Sequence, residues 1–97
     1  MKPSDFLVGN YFDYAIEEIR KERTRQILKW GDNRMLSNWT WIAVITEEIG
    51  EVAQAALKGQ LPNVHHELIQ VAAVAVAWLE DILEHGDERT DRDFIQG

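Results

Sequence analysis

A Glu–Glu pair and a Glu–Gln pair stand where helical periodicity calls for apolar residues. At 3.6 residues per turn, Trp41, Val44, Glu48, Glu51 and Ala55 fall on one stripe, so Glu48 and Glu51 interrupt an apolar face. Glu67 and Gln70 repeat the arrangement, continuous with Val71, Val74 and Trp78. Residues i and i+3 lie about 60° apart around a helix and about 4.5 Å apart along it, close enough for two side-chain oxygens to reach one ion. Two such pairs facing each other offer four ligands. Inward carboxylates without a counter-charge are costly, and a divalent cation makes them tolerable. The all-oxygen donor set favours Mg²⁺ or Mn²⁺ over zinc. The competing reading makes Glu48, Glu51 and Glu67 structural ion pairs with inward Arg23, Arg25 or Lys29.

Other acidic spacings carry less. Asp81 with Glu84, Glu84 with Asp87, and Glu88 with Asp91 lie in a polar stretch and are expected to form a solvated face. Adjacent His65 and His66 would point about 100° apart on a helix, which does not build a zinc site without a third nitrogen ligand. His85 is expected at the surface.

Helices must position the two pairs, because Gly and Pro sit only near proposed boundaries and no alternating strand pattern appears. The first helix is expected from an N-cap at Asn10 to Lys29 or Trp30, stopped by Gly31, Asp32 and Asn33. Its inward stripe reads Phe12, Ile16, Ile19, Arg23, Gln26 and Trp30, turning polar along its length. The second runs from Ser37 or Asn38 to Lys58, capped by Gly59, and the third from Pro62 or Asn63 to Gly86. The remaining Asp87 to Gly97 is expected to add a short helix or fray.

Between Val71 and Leu79 the third helix is apolar around its whole circumference, and two neighbours from one chain do not easily cover it. The expected fold class is therefore all-α, a helical bundle completed by oligomerisation, as a homodimer or a dimer of dimers. The 97 residues form one domain, with 91–97 as a frayed tail.

Composition narrows the function classes. There is no cysteine, which removes disulfides, thiolate metal sites and a cysteine nucleophile. The net charge of -7 makes nucleic acid a poor partner. Six of the ten cations fall between Arg20 and Arg34, while residues 47–97 hold eleven of the seventeen acids. Such a chain can hold an anion near one segment and a divalent cation near the other. The longest apolar run is nine residues, far short of the roughly 20 of a membrane span. With no signal-peptide pattern at the N-terminus, a cytoplasmic location is expected.

The stretches WIAVITEEIGEVAQAA, from Trp41 to Ala56, and HHELIQVAAVAVAWLE resemble the MazG-like branch of the all-alpha nucleoside triphosphate pyrophosphohydrolases. Upstream, ERTRQILKWG, from Glu22 to Gly31, is similar to the phage-type members of that branch, and the resemblance covers about residues 16–82. The family pattern is Glu-Glu-x-x-Glu followed after a spacer by Glu-x-x-Asp. Glu47, Glu48 and Glu51 match its first half and Glu67 its second, but Gln70 stands where the pattern has Asp. A neutral amide offers one carbonyl oxygen and no charge, which implies weaker metal binding at that position.

The resemblance implies Mg²⁺-dependent cleavage of a nucleoside triphosphate between its alpha and beta phosphates, releasing a monophosphate and pyrophosphate. It makes Glu48, Glu51 and Glu67 metal ligands, with Gln70 as a fourth. Glu47, rotated about 100° from Glu48, is the candidate base for the attacking water. Arg25 and Lys29 are candidate phosphate contacts, ahead of Arg34 and Lys58. Trp30 could stack on a nucleobase, with Trp39 and Trp41 as rivals, and Gln26 could read a base edge. Trp78 is expected in the core. Related folds act on phosphoribosyl-ATP or dUTP, so the substrate stays open within the class. The alternative function is a catalytically inactive helical dimer that binds a nucleotide or a protein partner.

Overall fold

The computed structural model describes residues 8–32 and 34–86, with side chains from residue 10 onward. Asn33 and the tail expected to fray lie outside the described residues. Three helices follow in order: α1 from Val8 to Trp30, α2 from Asn38 to Leu57 and α3 from Leu61 to His85. Among the described residues there is no strand, and no helix is long and apolar enough to cross a membrane.

Local chemistry sets the boundaries. Gly31, at φ 84, and Gly59, at φ 68, occupy the left-handed region that side-chain-bearing residues disfavour, and each ends a helix. At the end of α2 the Gly59 N–H donates to the Ala56 carbonyl (3.0 Å) and the Gln60 N–H to the Ala55 carbonyl (3.1 Å), a Schellman pairing that satisfies the last carbonyls. Ser37 caps the start of α2, its Oγ accepting from the Thr40 N–H at 3.1 Å. Asn10 is not the cap of α1, because the helix begins at Val8 and places it inside the first turn. Pro62 lies in the first turn of α3, where its missing N–H costs nothing.

The third helix is the organiser. It packs against both α2 and α1, whereas α1 and α2 do not pack on each other. Helices α2 and α3 are antiparallel, with Asn38 and Trp41 opposite Trp78 and Asp81. Their shared core holds Trp41, Ala55, Ala73 and Val74. Trp41 and Trp78 stack at 6.4 Å with their planes 10° apart. Trp78 donates Nε1–H to Asn38 Oδ1 at 2.9 Å, in keeping with a packing role.

Two sequence expectations are overturned here. Asp81 does not join a solvated face; it is 3% exposed. Its Oδ2 accepts from Trp41 Nε1 at 2.7 Å and from the Leu36 N–H at 3.0 Å, and Oδ1 lies 3.0 Å from His85 Nδ1. His85 is accordingly half-buried rather than at the surface. The indole and the loop N–H both need an acceptor, and a carboxylate serves them together, which the acidic appearance of the local sequence conceals. The inward stripe of α1 is also corrected. Phe12 is exposed, Ile16 is 37% exposed and Ile19 is half-buried, while Glu22 and Gln26 are buried. The most buried member of the stripe is thus polar, Gln26, and Arg23 reaches Glu80 on α3.

Candidate metal centre

Helix α2 presents Glu48 and Glu51 one turn apart, and α3 brings Glu67 to meet them. One carboxylate oxygen from each lies within 4.8 Å of the other two. Among the described residues this is the one group of three or more His, Cys, Asp or Glu side chains close enough to share an ion, and it contains no histidine. Glu48 and Glu67 are half-buried and Glu51 is exposed, so the cluster opens to solvent on one side. Such a setting suits Mg²⁺ or Mn²⁺, which hold few carboxylates and keep water in their other positions.

The cluster is under electrostatic load. Burial pushes the Glu48 carboxyl up to about 7 from its ordinary 4.5, assisted by the charge of Glu51, a hydrogen bond with Glu51, and the charges of Glu67 and Glu47. A proton thus does at neutral pH what a cation would do better. Because the folded value is raised, Glu48 contributes stability that is full below 4.5 and is lost as pH climbs through about 7. Without divalent cations the thermal midpoint should fall across that window, and saturating Mg²⁺ should restore most of the loss. The Glu48→Gln variant, scanned in chelator, should show a flatter profile; an unchanged slope would remove Glu48 as its source.

Glu47 is exposed on α2, beside the cluster, and its charge is felt by Glu48. Gln70, half-buried one turn beyond Glu67, has its amide Nε2 3.3 Å from His66 Nε2. Helix α1 brings the cations. Arg25 is fixed by Glu22 through Nε to Oε1 at 2.9 Å and Nη2 to Oε2 at 2.6 Å. Glu22 also holds the Arg25 guanidinium firmly in its charged form, and Glu48 adds to that effect. Arg23 donates to Glu80 on α3 at 2.8 Å instead. Lys29 is exposed and folds its Nζ over the neighbouring Trp30 ring, 4.7 Å from the centroid. Lys58 sits at the far cap of α2.

Sequence reasoning missed Glu22, which is 8% exposed. The Arg25 hydrogen bonds pull its carboxyl below the usual range against the cost of burial, with smaller contributions from Gln26 and the charge of His66. The available signal was its i, i+3 and i, i+4 spacing to Arg25 and Gln26.

A cavity of about 580 Å³ lies between the end of α1, the loop after it and the last turns of α3, and none of Glu48, Glu51 and Glu67 lines it. Gln26, Trp30, Arg34, Trp41 and Glu80 are among its walls. Gln26 is buried there, weakly bonded to Arg23 and Glu22 at 3.4 Å each. The Arg34 guanidinium lies 5.4 Å from the Trp30 centroid and 5.3 Å from that of Trp41. Of the three candidate stacking indoles, Trp39 does not line the cavity; Trp41 lines it but is 2% exposed, while Trp30 is half-exposed there. Comparison with family models, curated proteins and solved structures found no match to this chain.

Proposed function

We propose that the chain is a Mg²⁺-dependent nucleoside triphosphate pyrophosphohydrolase of the MazG-like all-alpha type, cleaving between the alpha and beta phosphates of a ribo- or deoxynucleotide. The observation that carries this reading is the three-carboxylate cluster from two helices, with an arginine held beside it by a third. Glu48, Glu51 and Glu67 fit the ion by donor chemistry, and the burial and mutual repulsion that raise Glu48 are what a cation would offset. Gln70 could add a carbonyl oxygen by a turn of its amide. When bound, the metal supplies charge neutralisation for the phosphates and lowers the pKa of a coordinated water.

The remaining roles belong to the chain. Arg25, pre-oriented by Glu22, meets a phosphate without first losing side-chain freedom. Glu47, beside the cluster, would take the proton from the attacking water. Lys29, over the Trp30 ring, would add positive charge near the end of α1. The cavity has room for a nucleoside, with Trp30 offering a ring face and Gln26 an amide for a base edge. By helical rise, Ala77 in the cavity wall lies about 15 Å along α3 from Glu67, the span between a base and the far phosphates.

The test is incubation with Mg²⁺ and a panel of nucleoside triphosphates, resolving monophosphate, diphosphate, pyrophosphate and phosphate. Monophosphate with pyrophosphate is the expected pair; diphosphate with phosphate would refute the bond assignment. Arg25→Ala should raise KM about tenfold or more, since a lost charge-assisted contact is worth about 1.5–3 kcal/mol. A KM unmoved in that variant would return Arg25 to a purely structural pair with Glu22. A second reading rests on Gln70, the neutral residue beside Glu67: a catalytically inactive module that binds nucleotide. Binding without product, even with Mn²⁺ and in Gln70→Asp, would select it.

A further inference from the structure

We infer that Arg34 reads the nucleobase in the cavity of about 580 Å³ and selects guanine, an inference that rests on the nucleotide reading given above. The Arg34 guanidinium lies over two indoles, 5.4 Å from the Trp30 centroid and 5.3 Å from that of Trp41. Ring faces hold its charge but leave its N–H donors without oxygen or nitrogen acceptors. Among the described residues no acceptor bonds to Arg34 and no carboxylate pairs with it. Half-buried at a cavity wall, those donors gain by meeting acceptors on a ligand.

The arginine is set in place before any ligand arrives. Trp41 donates to Asp81 at 2.7 Å, and Leu36, two residues after Arg34, donates its N–H to the same carboxylate at 3.0 Å. One buried side chain thus fixes both the loop that carries Arg34 and one of the indoles beside it. A planar fork held in this way loses little freedom on binding.

Such a fork calls for two acceptors side by side. Guanine presents O6 and N7 in that arrangement, and a guanidinium meets them with two parallel bonds. Adenine places its N6 amine where guanine has O6, which sets donor against donor. Uracil and thymine separate their two carbonyls by a ring N–H. Cytosine does place O2 beside N3, so a second wall must decide.

That wall is acidic. Asp32, Glu80, Asp81 and Glu84 line the cavity against Arg23 and Arg34, a balance that disfavours a phosphate at Arg34. Glu80 takes Arg23, and Asp81 takes the Trp41 indole. Asp32 and Glu84 have carboxylate oxygens with lone pairs enough to accept from a ligand as well. A carboxylate meets two adjacent N–H donors in parallel, and guanine supplies them as N1–H and N2–H, where cytosine has only its N4 amine. Guanine is the one common base with both an adjacent acceptor pair and an adjacent donor pair, the complement of an arginine and a carboxylate in one cavity.

Calorimetric titration of the full chain in chelator with guanosine, adenosine, cytidine and uridine monophosphates reads the base apart from the metal cluster. Guanosine monophosphate should bind about tenfold or more tighter than the other three. Its 7-deaza analogue, which lacks N7, and inosine monophosphate, which lacks the N2 amine, should each lose several-fold in affinity. Arg34→Met keeps a stem beside the indoles and removes the donors, so guanosine monophosphate and its 7-deaza analogue should bind it alike. Should that variant fail to fold, the two analogues still decide with the wild-type chain. Equal binding of all four monophosphates, binding of none, or preference for another base would overturn the proposal. Guanine selectivity in a chain that cleaves no triphosphate would keep the base reader and refute the hydrolase. Cleavage of all four triphosphates with equal kcat/KM would do the reverse.

Discussion

Glu67→Ala should reduce pyrophosphate release by about a thousand-fold or more, equivalent to roughly 4 kcal/mol of transition-state stabilisation. Glu67 is the cluster carboxylate contributed by α3, and the two that remain come from a single helix turn of α2. The same substitution should make the metal-free protein more stable, because the charge of Glu67 helps to push Glu48 upward. These opposite effects separate a lost ligand from a damaged fold: activity falls, the metal-free thermal midpoint rises and its response to Mg²⁺ shrinks. A variant that loses activity together with helical signal would say nothing for the site. One that keeps full activity would refute it.

The second large effect is on folding. Asp81→Ala strips an acceptor from the buried Trp41 indole and from the half-buried Leu36 N–H at once. A buried donor that loses its acceptor costs about 1–3 kcal/mol, and with the weakened Leu36 and His85 contacts a loss of about 3–4 kcal/mol is expected. In a domain of this size that corresponds to a thermal midpoint lower by about 15 °C. Asp81→Asn retains one carbonyl oxygen and should fall between the two. Glu84→Ala, on an exposed neighbour, should stay within about 0.5 kcal/mol of wild type and serves as the control. Equal midpoints for Asp81→Ala and Glu84→Ala would mean that the buried network carries no net stability.

The contrast between Asp81 and Glu67 shows what the sequence could disclose. Glu48, Glu51 and Glu67 were legible because each interrupts an apolar stripe, and helical periodicity turns that interruption into a shared location. The three helices were legible for the same reason, with Gly31 and Gly59 marking ends through their left-handed backbone. Asp81 was not, since it stands among Glu80, Glu84 and Asp87 and its burial depends on an indole forty residues away. Glu22 escaped similarly: a charged run on α1 reads as solvent-facing until α3 packs over one side of it. The apolar expectation for Phe12 and Ile16 failed because burial requires an opposing surface, and periodicity supplies only half of a contact.

Helix α1 touches α3 and not α2, and its buried surface includes Glu22 and Gln26. It is thus the element with the least apolar attachment, a separable cooperative unit in the hierarchy of partial openings that native-state hydrogen exchange reports. Its amides should exchange through a lower free-energy opening than those of α2 and α3. A molecule that engages Arg25 on α1 and the carboxylates of α2 and α3 together would join that unit to the remainder, so the order of α1 becomes a property that its ligand confers.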